Sequence, residues 1–482
     1  MTKHQTATLD LKELEIYILD AMERWDVPGL CIAIVKDGKT LLAKGYGTRE
    51  VGKDLPVDEH TLFAISGTTA SFTASALALL VAENKMNWTD SMISLLPGFK
   101  TGNDLVSNYA TVVDALANRS GLPSETLSFL ANPHLDRADI LAKMKYIESP
   151  NHFRSHWGIS FHMTVAAGEI IPALTGISWD DFVQNRLFDP IGMTDSVTGP
   201  HLFASNQNIA TPHEMEAGKM TPVSHGQTTN IGPATSSYSS AADMAKWLTF
   251  QLNNGKVDDN VLIPEKEISM MRTSYIAANF DFPGIAKNFI NQGLGLYISD
   301  SSSGYKLYSN GGASAGMESY HAFLPELGLG IAVMTNSVKV IPQPLIAWII
   351  DRYTNAPRQD WIPLFMSDEE KVLSSFEDSR KAITYPTKKP SQSIEAYQGL
   401  YHHPLIGDLK VTVNGDNLFF TLGTSYQGDL LHANHDTFFI KVKTPQAGLF
   451  FFNGPTQFRL DQAGQVSSIY AVGKEFQKIE NS

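Results

Sequence analysis

Residues 29–47 read GLCIAIVKDGKTLLAKGYG, two apolar runs hinged on Asp37-Gly38. An Asp-Gly pair supplies the left-handed backbone of a tight hairpin turn, so this stretch predicts two adjacent antiparallel strands. Their remaining sheet partners come very late. The next strand-like runs, KLYSN, SYHAFLPE and GIAVMTN, lie between Lys306 and Asn336. Helical patterns fill the interval, over Ser71 to Glu83, Thr164 to Leu174, Trp179 to Leu187 and Ala241 to Leu252. A hairpin, a long helical insertion and returning strands predict an α+β domain, one antiparallel sheet flanked by helices.

The segment ITYPTKKPSQS, Ile383 to Ser393, is rich in Pro, Lys and Ser and reads as a linker. Beyond it LKVTVNGDNLFFTL forms a second hairpin pattern turning at Asn414-Gly415, and TFFIKVK and GLFFFNG continue the run of short strands. The expected organisation is a first domain over 1–382, a linker over 383–393 and a small all-β domain over 394–482. Two domains suit a chain of 482 residues.

A net charge of −13 disfavours nucleic acid and anionic membranes as partners. Cys31 is the one cysteine, so no disulfide forms within a monomer and no cysteine cluster holds a metal; inside GLCIAIV it reads as a core residue. Asp10, Lys12, Glu13 and Glu15 interrupt the stretch where a signal peptide needs apolar residues, so the N-terminal pattern is an amphipathic helix. No apolar run reaches transmembrane length. The expectation is a cytoplasmic protein. His402, His403, His432 and His435 lack the carboxylate or cysteine company of a metal site and read as surface residues.

Several longer stretches carry a resemblance. From about Leu14 to Tyr353 the chain resembles the serine β-lactamase-like group, which includes class C β-lactamases, penicillin-binding-protein-like esterases and fungal polyketide acyltransferases. The segments that carry it are VPGLCIAIVKDGKTLLAKGYG, DALANRSGLP, GEIIPALTGISWDDFVQNRLFDPIGMTDS, SSYSSAADMAKWL and AFLPELGLGIAVMTN. The resemblance implies a β-lactamase/transpeptidase-like fold. The C-terminal module resembles the lipocalin-like β-barrel often appended to such proteins.

The resemblance also says where chemistry should reside. The family's Ser-x-x-Lys motif opens a helix; here Phe63, Ile65, Thr69, Phe72, Thr73 and Ala74 agree with its context, but Gly67 stands at the serine and Ala70 at the lysine. Acyl transfer needs an activated hydroxyl and a base beside it. Counting nine residues back from Gly168 puts Ile159 and Phe161 at the family's Tyr-x-Asn, with Met163 supporting the register. Asn310-Gly311-Gly312 aligns with the inner-strand His-x-Gly or Lys-Thr-Gly. The resemblance therefore implies a scaffold whose catalytic serine has been replaced.

Other residues compete for a role. Ser303-Gly-Tyr-Lys306 is a literal Ser-x-x-Lys but lies before a strand, outside the context the motif requires. Ser66 and Thr68 flank the serine position as substitute nucleophiles, against the plainer reading of helix-start hydrogen bonding. His152, His156 and His162 crowd the second motif, and His162, beside Phe161, is the candidate acid or base, against the plainer reading of a loop histidine.

Two features do not depend on the replaced side chains. The family's oxyanion hole uses backbone N–H groups, which correspond to Gly67 and Ala313 here. Ala70, Ile159, Phe161 and Gly312, with Asn310, would line an uncharged pocket for a hydrophobic, carbonyl-bearing small molecule. The expected function is a non-hydrolytic enzyme that needs no cofactor and promotes cyclisation, isomerisation or elimination in specialised-metabolite (polyketide- or terpenoid-type) biosynthesis. Two alternatives stand beside it: a pseudoenzyme for ligand binding or scaffolding, and an esterase or acyltransferase using a substitute nucleophile.

Overall fold

Helix α1, Leu11–Trp25, starts where Asp10 accepts hydrogen bonds from the Lys12 and Glu13 amides, and ends at Asp26 in the left-handed region. Leu14, Ile18, Ala21, Met22 and Trp25 fall on one face at helical spacing, and all are buried. The computed structural model describes residues 9–203, 208–216, 218–278, 289–354, 356–381, 388–415, 417–443 and 454–479.

The face of α1 packs on an eight-stranded antiparallel sheet. Its strands are β1 Gly29–Lys36, β2 Lys39–Gly47, β3 Ile276–Ala278, β4 Ile290–Gln292, β5 Tyr297–Asp300, β6 Lys306–Ser314, β7 Met317–Leu324 and β8 Leu329–Thr335. The spatial order is β2-β1-β8-β7-β6-β5-β4-β3, so the first hairpin joins the late strands through β1 and β8, with Ala33 opposite Ala332. β1 is buried along nearly its whole length, which fits an apolar run without alternation. Leu30, Ile32 and Ile34 meet α1 and the late helices Pro342–Thr354 and Trp361–Lys381 through Ile346, Ile349, Trp361 and Phe365. On another side lies helix α2, Thr69–Ala82, where Phe72 makes edge-on contacts with Phe188 and Trp247. The α+β architecture is the expected one.

The described residues form two compact units that do not follow the linear order: residues 1–124 with 147–367, and residues 125–146 with 368–482. The second unit contains a closed barrel of eight antiparallel strands, from Gly399–His403 to Lys474–Ile479. Its interior is filled by Tyr401, Leu418, Phe420, Phe458, Ile469 and Phe476, with Leu127 and Ala131 of the 125–146 segment in the same cluster. Asn132 Nδ2 donates to the Ile406 carbonyl at 2.6 Å, and Lys474 pairs with Glu125 at 2.7 Å. Gly423, at φ +56, lies so close to the Ala131 carbonyl that a β-carbon there would stand 2.0 Å from it. The first five residues of the expected linker, 383–387, and nearly all of GLFFFNG lie outside the described residues. Among the described residues no helix is long and apolar enough to cross a membrane.

Candidate functional site: a backbone edge beside the start of a helix

Strand residues Phe63–Ala64 pair with Tyr238–Ser239, and the Ile65 amide donates to the Ser237 carbonyl at 3.0 Å. The chain then turns sharply. Ser66 has φ 44, a left-handed conformation that costs a non-glycine residue about 1–2 kcal/mol. Its hydroxyl donates to the Ala313 carbonyl at 3.0 Å, which holds the turn against β6. A short 3-10 turn, Ser66–Thr68, leads directly into α2.

β6 is paired with β7 through Ser314, but its pairing with β5 ends at Ser309 opposite Tyr297. Residues 310–314 therefore turn one edge toward the Ser66–Thr68 turn. Backbone groups on a strand alternate between its two edges, and the N–H and C=O of one residue share an edge. Because the Ala313 carbonyl receives Ser66 Oγ, the Ala313 N–H faces the turn as well. The Gly311 carbonyl shares this edge: a β-carbon built on Gly67 would lie 2.5 Å from its oxygen. A β-carbon on Gly312 would lie 2.8 Å from the Gly67 nitrogen and 3.0 Å from Ser66 Oγ. The two glycines bring backbone to backbone. In the first turn of a helix the Gly67 N–H has no carbonyl of its own helix to bond, so it and the Ala313 N–H flank Gly312 as two donors. Gly67, Ala70, Gly311 and Gly312 are partly exposed and Ala313 is exposed.

Asn310 fixes this arrangement. Its Nδ2 donates to the carbonyls of Gly67 at 3.1 Å and Gly295 at 2.7 Å, and its Oδ1 accepts the Gly311 amide at 2.7 Å. Ser71 Oγ donates to the same Gly295 carbonyl at 2.6 Å. The line continues to the second motif. Gln292 Nε2 donates to the Leu296 carbonyl, Gln292 Oε1 accepts from Asn118 Nδ2 and from Trp157 Nε1, and Asn118 Oδ1 accepts the Ser160 amide. The helix Phe161–Thr175 begins there. Thus Asn310, Gly67 and the Ile159–Phe161 turn belong to one hydrogen-bonded frame. Ile159 is exposed and Phe161 half-buried.

His162 lies on the interior side of that helix, 1% exposed, and burial pushes its imidazole down to about 4, so it is neutral and enclosed. Thr68 Oγ1 lies 3.3 Å from His321 Nδ1, the spacing of a nucleophile and base, but the two are 1% and 2% exposed. Ser303 is exposed and bonds to Thr354, and Lys306 is exposed at the start of β6. His152 and His156 are exposed. The DALANRSGLP signature has a structural reason. Asp114 is fully buried and accepts from Arg119 Nε at 2.7 Å, Arg154 Nη2 at 2.8 Å and Thr111 Oγ1 at 2.8 Å.

Sequence reasoning passed over Trp157, Gln292, His225 and Tyr238, because single residues in loops and in strands of two or three residues carry no periodic signal. Among the described residues no group of three or more His, Cys, Asp or Glu has the arrangement of a metal site. His402 is paired with Asp408, and His432 with the His435 carbonyl.

A helix start held against the edge of an inner strand, on an antiparallel sheet flanked by helices, is the arrangement of the β-lactamase/penicillin-binding-protein class of fold. The family profile described as Beta-lactamase matches residues 17–355. The chain belongs to the beta-lactamase family. Residues 385–480 match a profile described as Domain of unknown function (DUF3471). The chain is similar to the Unguisins hydrolase ungD' of Aspergillus campestris, 24% identical over 478 residues, covering 94% of this chain and 87% of that protein. It is also similar to Protein flp of Staphylococcus aureus, 27% identical over 249 residues, half of this chain and 49% of that one. Among solved structures, the octameric penicillin-binding protein homologue from Pyrococcus abyssi superimposes with TM-score 0.66 at 21% identity, over 98% of this chain and 100% of that chain. A D-stereospecific amidohydrolase from Streptomyces superimposes with TM-score 0.58 at 20% identity, over 71% of this chain and 99% of that chain. These likenesses define the fold.

Proposed function

We propose that this chain is a non-hydrolytic enzyme of the beta-lactamase family. In this reading it binds a hydrophobic, carbonyl-bearing small molecule at the edge between Gly67 and Ala313 and promotes cyclisation, isomerisation or elimination without a covalent acyl intermediate. One observation carries the reading. Position 67 has neither a hydroxyl nor room for one, because a β-carbon there meets the Gly311 carbonyl at 2.5 Å; in this reading the Gly67 and Ala313 N–H groups supply the donors. Donors aimed at a carbonyl oxygen stabilise charge that develops there, typically by about 3–4 kcal/mol for each donor. Ala70 supplies no base beside them.

Hydrolysis is the second reading, favoured by the names of the Aspergillus and Streptomyces proteins. The two are separated by intact-protein mass spectrometry after exposure to a fluorophosphonate and to a β-lactam, beside turnover of p-nitrophenyl esters. The proposal expects neither adduct nor ester turnover. An adduct mapping to Ser66 or Thr68, with ester turnover, would establish the hydrolytic reading.

A further inference from the structure

His225 and Tyr238 form a polar pair that the carbonyl edge does not use. His225 Nδ1 lies 3.2 Å from the Tyr238 hydroxyl, and the ring of Phe203 stands edge-on to both, 5.4 Å from the imidazole and 4.8 Å from the phenol. Tyr238 is 3% exposed whereas His225 is half-buried, so the histidine forms the open end of the pair.

Two independent contacts place the pair beside Gly67 and Ala313. Tyr238 is opposite Ala64 in the short ladder, and its neighbour Ser237 bonds to Ile65 and, through its amide, to Thr69 Oγ1 at 3.1 Å, either side of the Ser66–Thr68 turn. Gly226, next to His225, adjoins the end of β6. A β-carbon there would lie 3.3 Å from Ser314 Oγ and 2.9 Å from Ala315 Cβ. The backbone that carries His225 thus closes on the strand one and two residues beyond Ala313.

We propose that His225 is the proton-transferring group of the reaction at the Gly67–Ala313 edge, with Tyr238 as its positioning residue, and that the substrates are β,γ-unsaturated ketones with a removable hydrogen on the α-carbon between the carbonyl and the double bond. This rests on the function proposed above. If the Tyr238 oxygen accepts Nδ1–H, Nε2 carries the lone pair. Nε2 then takes a proton from the α-carbon, the C–H electron pair moves into the enolate, and the oxygen gains the negative charge held by the two N–H groups. Return of the proton from the imidazolium to the γ-carbon restores neutral His225 and leaves an isomerised, conjugated ketone. No external reactant is needed. Burial holds the imidazole below its usual range and the phenol above its own, so both are neutral near pH 7.

The test uses the full chain and cyclohex-3-enone, whose isomerisation to the conjugated enone is followed by ultraviolet absorbance. His225→Gln is expected to lower kcat roughly 100-fold, within the range for a single acid–base group. Tyr238→Phe is expected to lower kcat with KM retained and to slow deuterium uptake from D2O at the α-carbon, a readout that simple loosening of the fold does not give. If His225→Gln does not fold, Tyr238→Phe carries the test, since it removes one oxygen. Gly312→Val, which blocks the Gly67 N–H, reports on the carbonyl site separately. Loss of turnover in Gly312→Val with wild-type rates in the His225 and Tyr238 variants overturns the present inference and leaves the carbonyl site standing. No turnover above buffer by the unaltered protein overturns the present inference; the function proposed above is decided by the adduct and ester measurements.

Discussion

Gly67 and Gly311 touch backbone to backbone, with the Gly311 carbonyl occupying the direction in which a side chain at 67 would leave the chain. Gly67→Ser, alone or with Ala70→Lys, is therefore expected to destabilise the fold by about 1–3 kcal/mol, the usual result of overpacking a tight contact. Chemical denaturation measures the loss. Mass spectrometry with a fluorophosphonate checks the corollary, that the restored serine gains no adduct. Unchanged stability together with rapid labelling would show that β6 moves away at no cost.

Asn310 ties two carbonyls from separate segments, those of Gly67 and Gly295. Asn310→Ala leaves the buried Gly295 carbonyl and the part-buried Gly67 carbonyl with reduced partners, so a loss of about 1–3 kcal/mol is expected in urea unfolding. Asn310→Asp should cost at least as much, since a carboxylate offers those carbonyls no donor.

Asp114 receives two arginines and a threonine while fully buried. Burial pushes its carboxyl up, but the hydrogen bonds from Arg154 and Thr111 outweigh that and hold it below the usual carboxylate range. A depressed folded-state value stabilises the protein above the unfolded value of about 3.9, and the contribution is lost as pH falls through the folded value. Asp114→Ala should cost about 1.5–3 kcal/mol at pH 7, since it removes charge-assisted hydrogen bonds from two arginines that remain partly in water. Calorimetry from pH 7 down to pH 3 should show the variant with the flatter acid limb.

His162 and His321 are buried and neutral, pushed down by burial to about 4 and about 3. In the unfolded chain a histidine takes up its proton near 6.5, before either buried ring does. Stability is therefore complete above about pH 6.5 and falls as pH drops toward the folded values, by about 3 kcal/mol for His162 alone. Urea titrations at pH 7.5 and pH 5 measure the difference, and His162→Leu should remove part of it. A pH-independent midpoint over that window would contradict the enclosed, neutral state of both rings.

The hairpin at Asp37-Gly38 and the helix Ala241–Leu252 are legible in the sequence because each rests on local signals, a turn pair in one and apolar spacing in the other. The barrel hairpin at Asn414-Gly415 is legible for the same reason. The 125–146 segment is not. Its helices Leu127–Leu130 and Arg137–Lys143 are only four and seven residues long, too short for a periodic signal, and the segment's partners on the barrel lie more than 250 residues away. At the site, the identities of Gly67, Ala70 and Asn310 could be read from motif spacing, but the tightness of the Gly67–Gly311 contact could not, since glycine in a sequence leaves open whether the space beside it is empty or full. Arg154 lies in a loop whose sequence carries no motif, and its partner Asp114 stands forty residues away, so the pair is invisible to local reading.

The barrel unit takes residues 125–146 from inside the other unit's stretch of chain. During synthesis, Leu127 and Ala131 leave the ribosome more than 250 residues before the strands that shelter them. They must wait until those strands have been made. The barrel is therefore not a detachable cassette. A gene cut after residue 382 would orphan two apolar side chains, and a fusion that transplants 394–482 alone would leave the barrel's apolar cluster without its Leu127 and Ala131.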